Sequence, residues 1–305
     1  MTTPEPLRSS ASEAAHAPVL AAEVVRVLVP HAEGCYVDCT VGLGGHAAAL
    51  LEAGAGRVIG LDRDETALAR TRARLGDAGG RLELVHADYR DLRPVLAARG
   101  VTGVEGAMAD LGVSSMQLDD PSRGFSFRAA GPLDMRMDRT RGATLSDRLA
   151  EVDAATLADV IWRYGEERHS RRIARAVLAA RDAGALTDTA ALASVVRRAA
   201  GGGRWQRLDP ATRTFQALRI WVNAELDGLD AFLEDAAGAL TGGGRLAIVA
   251  FHSLEDRVVK HTFRRLAAAG SVVALTRRPI VPGEAEHARN PRARSARLRA
   301  VEKAA

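Results

Sequence analysis

The sequence predicts an α/β fold: a doubly wound, mostly parallel sheet interrupted by an inserted all-helical block. Three observations predict it. Short apolar strands alternate with helical stretches through the first third of the 305 residues. The alternation then breaks, near residue 119, into helix-length periods bounded by caps and glycine stops. It resumes after Asp209-Pro210.

Residues 1–15 are polar and read as a flexible tail; they lack the apolar run of a secretory leader. Residues 35–40 read as a short buried strand running into a turn with Gly42, Gly44 and Gly45, and a helix follows over 46–52. Strands are expected at 57–62, 82–86 and 106–111, with a helix at 65–75 that turns Leu68 and Leu75 inward. From 117 to 142 there is no strand period. Asp153 then caps a helix reaching Tyr164, a helix over 170–183 buries Ile173, Val177 and Leu178, and Asp188 caps one ending at Gly201-Gly202-Gly203. Asp209-Pro210 sets a capping carboxylate before a proline at the first helical position, and Phe215, Leu218, Val222 and Leu226 form that helix's buried stripe. Gly242-Gly243-Gly244 is expected to end the next helix, before a central strand at 245–251, a helix at 258–269, a strand at 271–276 and an edge strand at 295–301. The implied domains are 16–118 with 211–305 for the sheet, and 119–210 for the insertion, which is expected to recognise the substrate.

Composition narrows the function class. With 47% apolar and 26% charged residues the chain is ordinary globular protein, and no apolar run is long enough for a membrane span. Cys35 and Cys39 are too few for a zinc site or a disulfide framework, so reduced thiols in a cytoplasmic protein are expected, and no metal. Basic residues exceed acidic ones by 42 − 38 = 4, and Lys260 and Lys303 are the only lysines. Between Arg277 and Lys303 stand seven Arg and one Lys against three Glu. That excess suggests an acidic polymer such as nucleic acid as partner.

The glycine turn after the first strand is where α/β sheets hold a cofactor, and the helix behind it offers free N–H groups. Asp62 ends the second strand 20 residues after Gly42, the place from which a carboxylate accepts from ribose hydroxyls. Nicotinamide and sulfonium cofactors both carry that ribose. Ala47 stands at the third glycine position of the dinucleotide fingerprint, which disfavours a pyrophosphate. Asp110 ends the fourth strand, near the reacting end of such a cofactor. An NAD-dependent oxidoreductase and a non-catalytic assembly factor are the alternatives to group transfer.

These stretches join into a longer pattern. His16–Leu20, Tyr36–His46, Asp110–Asp120, Arg123–Phe127, Gly131–Asp138, Tyr164–Arg168, Pro210–Ile220, Phe251–Arg257 and Asn290–Ser295 together resemble the bacterial 16S ribosomal RNA (cytosine-N4) methyltransferase family, RsmH or MraW, over nearly the whole chain. The resemblance implies a class I (Rossmann-like) methyltransferase that binds S-adenosyl-L-methionine and methylates N4 of a cytidine, 1402 in the usual numbering, in the decoding region of the small ribosomal subunit. By matching position it implies cofactor contacts at Gly44, Gly45, His46, Asp62, Tyr89, Asp110 and Gln117. It departs from the family at Cys39, Val41, Leu43, Met116 and Leu208-Asp209, and Leu43 removes a cation from the glycine turn.

For the chemistry, Asp110 or a nearby backbone carbonyl is expected to accept from the cytosine amine, with Phe125 or Phe127 stacking on the base. His252 is expected to hold its loop, with a catalytic base as the alternative. Asp134, Arg136 and Asp138 form either an ion-pair network or a substrate loop. Arg289, Arg292 and Arg294 are expected to contact phosphates.

Overall fold

The computed structural model describes residues 18–201 and 209–305; the expected N-terminal tail, and Gly202 and Gly203 of the glycine triplet, lie outside them. The chain divides into two compact units. One runs up to Gly112 and again from Gly228 to Ala305; the other is Val113–Asp227.

The first unit opens with α1 (Ala21–Leu28), then β1 (Cys35–Asp38), α2 (Gly45–Glu52), β2 (Arg57–Asp62), α3 (Glu65–Leu75), β3 (Leu82–His86), α4 (Leu92–Ala97) and β4 (Val104–Asp110). The second holds α5 (Ser115–Asp119), α6 (Leu145–Glu151), α7 (Ala154–Gly165), α8 (Ser170–Asp182), α9 (Thr189–Ala200) and α10 (Ala211–Asn223). The first resumes with α11 (Leu229–Ala239), β5 (Leu240–Ala250), α12 (Ser253–Ala268), β6 (Val272–Ala274), α13 (Glu284–Arg289) and β7 (Arg297–Lys303).

The seven strands lie in the order β3-β2-β1-β4-β5-β7-β6. The first five are parallel, and β7 runs antiparallel to both β5 and β6. The order reverses between β1 and β4, so the crevice beyond their carboxyl ends is the position where such sheets take ligands. Val37, Val58, Ile59, Ala107, Met108 and Ile248 are fully buried, as strands covered on both faces must be. Helix starts follow the capping chemistry: Asp64, Asp153 and Asp188 accept N–H bonds from Thr66, Thr156 and Ala191.

Three expectations need correction. The strand expected at the edge, β7, lies second from it, because Arg297 to Glu302 pair with β5 while short β6 takes the rim. Gly242-Gly243-Gly244 does not end a helix. α11 stops at Ala239, and the triplet lies inside β5, where the pairing shifts from Val104 opposite Leu240 to Gly106 opposite Arg245. A Cβ on Gly244 would sit 3.0 Å from the Val104 carbonyl oxygen, so the close strand approach demands the glycine. Finally, α10 belongs to the helical unit. Phe215, Leu218 and Val222 pack in one core with Leu157, Ile161, Ile173, Val177 and Leu192, which moves the unit's limits from 119–210 to Val113–Asp227.

Candidate functional site

The carboxyl ends of β1, β2 and β4 place three carboxylates together with one imidazole. Asp38 ends β1 and is fully buried; its Oδ1 accepts the Thr40 N–H at 3.2 Å. The Thr40 hydroxyl in turn accepts the main-chain N–H of Asp110, at 2.6 Å, tying the end of β4 to that of β1. His46, in the first turn of α2, is buried, with Nε2 3.6 Å from Asp110 Oδ2. Asp62 ends β2. Its two oxygens accept N–H bonds from Gly42 and Asp64, both at 2.8 Å, so the carboxylate clamps the glycine turn to the strand.

Asp38 Oδ2, Asp110 Oδ1 and both ring nitrogens of His46 are buried without a hydrogen-bond partner among the described residues. Each such group costs about 1–3 kcal/mol when left unmatched. Four at one place mark a site shaped for a polar ligand. The electrostatics agree. Burial pushes Asp38 up to about 6, although the His46 charge pulls it down. Burial likewise raises Asp62 to about 6 against the N–H bonds of Asp64 and Gly42. Burial pulls His46 down, but the Asp110 and Asp38 carboxylates outweigh it, and its net shift is upward.

The glycines divide by role. Gly42 and Gly44 both have positive φ, 52° and 75°. A Cβ on Gly44 would lie 2.6 Å from Thr71 Cγ2, and one on Gly45 would lie 3.0 Å from Pro18, so these two serve packing within the fold. A Cβ on Gly42 would meet only the Thr40 carbonyl oxygen, at 3.8 Å, which leaves room for a ligand to approach the backbone there. Tyr89 is buried after β3, its ring tilted on Phe232 at 4.6 Å between centroids.

The residues expected in the helical unit have their own partners. Gln117 Oε1 accepts the Ser114 N–H at 3.0 Å, closing a capping box on α5. Phe125 lies in the unit's core. Phe127 meets Phe215 edge-on at 4.8 Å, with the Arg197 guanidinium 5.3 Å above its ring. Phe125 is buried and its ring is spent on packing, while Phe127 stays partly exposed at the edge of that core. Arg136 grips Asp134 through two bonds, and Asp138 holds Thr140 and Arg141, so this stretch builds the ion-pair network. In the sheet unit, His252 caps α12 by accepting the Glu255 N–H. Arg289 and Arg294 are exposed and Arg292 is half-buried.

The sequence reading missed Asp38 and Thr40. The available signal was an aspartate inside an otherwise apolar four-residue strand, which has no place in a buried sheet without a use.

Comparison with known proteins decides the family. The model of the MraW methylase family matches residues 13–304. The chain belongs to the MraW methylase family. It is 54% identical over 286 residues to Ribosomal RNA small subunit methyltransferase H of Sorangium cellulosum, covering 94% of this chain and 90% of that protein. Proteins of the same name from Anaeromyxobacter sp. (strain K) and Nitrobacter hamburgensis are 51% and 48% identical, covering 94% and 97% of this chain and 97% and 93% of theirs. The family's cofactor fits the site in kind: S-adenosylmethionine carries ribose hydroxyls, an ammonium and a carboxylate, and the unpaired atoms of Asp38, Asp110 and His46 offer carboxylate acceptors and an imidazole. No described helix is long and apolar enough to cross a membrane.

Proposed function

We infer that this protein transfers a methyl group from S-adenosyl-L-methionine to 16S ribosomal RNA, at N4 of the decoding-region cytidine, in the small subunit and in the cytoplasm. The names of its relatives support the reaction class and the RNA. The single structural observation behind the reading is the Asp62 carboxylate, clamped between Gly42 and Asp64 at the crevice of the sheet.

The exocyclic amine of cytosine is a poor nucleophile, and its lone pair must be freed and aimed. When bound, S-adenosylmethionine supplies an electrophilic methyl on a positively charged sulfur. Asp62 holds the ribose, and Gly42 lets the backbone close on it. Asp110 accepts an amine proton through its unpaired Oδ1, while Thr40 fixes its main chain and His46 stands beside Oδ2. Such positioning supplies much of the rate in an in-line displacement. The target base must be splayed out of the folded RNA to reach the crevice. Gly44, Gly45, Tyr89 and Gln117 are carried as cofactor contacts by family position, and Arg289, Arg292 and Arg294 as phosphate contacts.

No observation favours an NAD-dependent oxidoreductase or a non-catalytic assembly factor. Ala47 is fully buried, so a methyl group fills the space that a dinucleotide fold keeps for a glycine. The test is mass mapping of small-subunit RNA after incubating immature subunits with the protein and labelled S-adenosylmethionine. The expected product is one N4-methylated cytidine. Label on another atom, or none, overturns the reading. Asp110→Asn should cut transfer about a hundredfold or more.

A further inference from the structure

The helical unit carries a run of exposed arginines that have no carboxylate partner among the described residues. Between Glu167 and Asp182 the chain has five arginines and no acidic residue. Arg168, Arg171, Arg172 and Arg175 are all exposed, and among the described residues none pairs with a carboxylate. Several other arginines of the unit are matched: Arg141 with Asp138, Arg163 with Asp159, Arg197 with Asp209 and Arg219 with Glu225.

Helix physics disfavours this arrangement. Arg171 and Arg172 occupy the first turn of α8, where the helix dipole repels cations, and Arg171 faces like-charged Arg175 one turn on. The preceding joint holds them in place. A Cβ on Gly165 would meet the Arg213 carbonyl oxygen at 2.6 Å, Gln216 donates to the Tyr164 carbonyl, and buried Glu167 accepts the His169 N–H at 2.8 Å. Exposed Arg213 reaches the Glu166 carbonyl and so joins the same face. Trp162, in the last turn of α7, is 55% exposed.

We propose that Arg168, Arg171, Arg172, Arg175 and Arg213 form a docking face for the sugar–phosphate backbone of the RNA. The inference rests on the RNA methyltransferase reading above and locates a contact surface for that substrate. Guanidinium groups fork onto phosphates, and the exposed Trp162 indole of the same unit suits an unpaired base.

The experiment uses the full chain, 16S ribosomal RNA and the variant R171E. Glutamate in the first turn suits the dipole and pairs with Arg175, so the variant should melt at the same temperature or higher. Its affinity for RNA should nevertheless fall about tenfold, with a salt slope shallower by about one, and its affinity for S-adenosylhomocysteine should not change. A merely structural arginine would lose stability and binding together. R175Q serves as the second variant. Wild-type affinity and salt slope in both variants overturn the proposal. If the variants lose RNA but the wild type methylates no cytidine, the face stands and the assigned reaction falls. If methylation is found and the variants bind normally, the face alone falls. If the wild type retains no RNA, both fall.

Discussion

Asp38 and Asp62 hold their protons to about pH 6 because the strand ends bury them, and this makes the site sensitive to pH. A carboxylate raised in the folded state binds its proton more tightly there than in the unfolded chain. Its contribution to stability is therefore greatest in acid and is lost as pH rises through about 6. Ribose hydroxyls donate to the ionised form of Asp62. Affinity for S-adenosylhomocysteine should thus rise about tenfold between about pH 5 and 7, as titration calorimetry would read, while the unliganded protein loses stability over the same range. Asp38→Asn removes a buried charge. Its melting temperature should exceed that of the wild type by a margin that widens from about pH 4 to 7, while methyl transfer falls. At this scale the sequence was legible where spacing carried the message, as with Asp62. It was silent where chemistry hid inside a strand, as with Asp38, or where an aromatic residue in a loop suited core and surface alike, as with Phe125.

At the scale of elements, the glycine turn joins packing to binding. Gly44 fits under α3, while a Cβ on Gly42 would meet only the Thr40 carbonyl oxygen, so the same substitution should separate the two uses. Gly44→Ala combines a left-handed backbone with a collision at Thr71 and should cost about 2 kcal/mol or more of stability. Gly42→Ala should cost about 1 kcal/mol, yet weaken S-adenosylhomocysteine binding more than its small stability loss explains. Denaturant melts paired with ligand titration check both. Most sheet elements were legible because apolar runs, caps and glycine stops act locally. Two features were not. The place of β7 depends on pairing with β5, more than 40 residues away, and periodicity carries no information about partners. The glycines at the start of β5 resemble a helix stop until the crowding by Val104 is seen.

At the scale of the molecule, a sheet unit and a helical unit divide the chain, each with a core of its own. The insertion was legible as a break in alternation. Its true limits were not, because Asp209-Pro210 signals a helix start and says nothing of which core that helix joins. The arginine-rich, net-positive composition belongs to this scale too. It implies RNA affinity that falls steeply with salt across the whole protein. The central claim is that the crevice at the ends of β1, β2 and β4 holds the methyl donor. A crystal structure with S-adenosylhomocysteine tests it most directly. The nucleoside is expected there, its ribose hydroxyls on the Asp62 carboxylate; a ligand bound elsewhere, with Asp62 touching only Gly42 and Asp64, would refute the assignment.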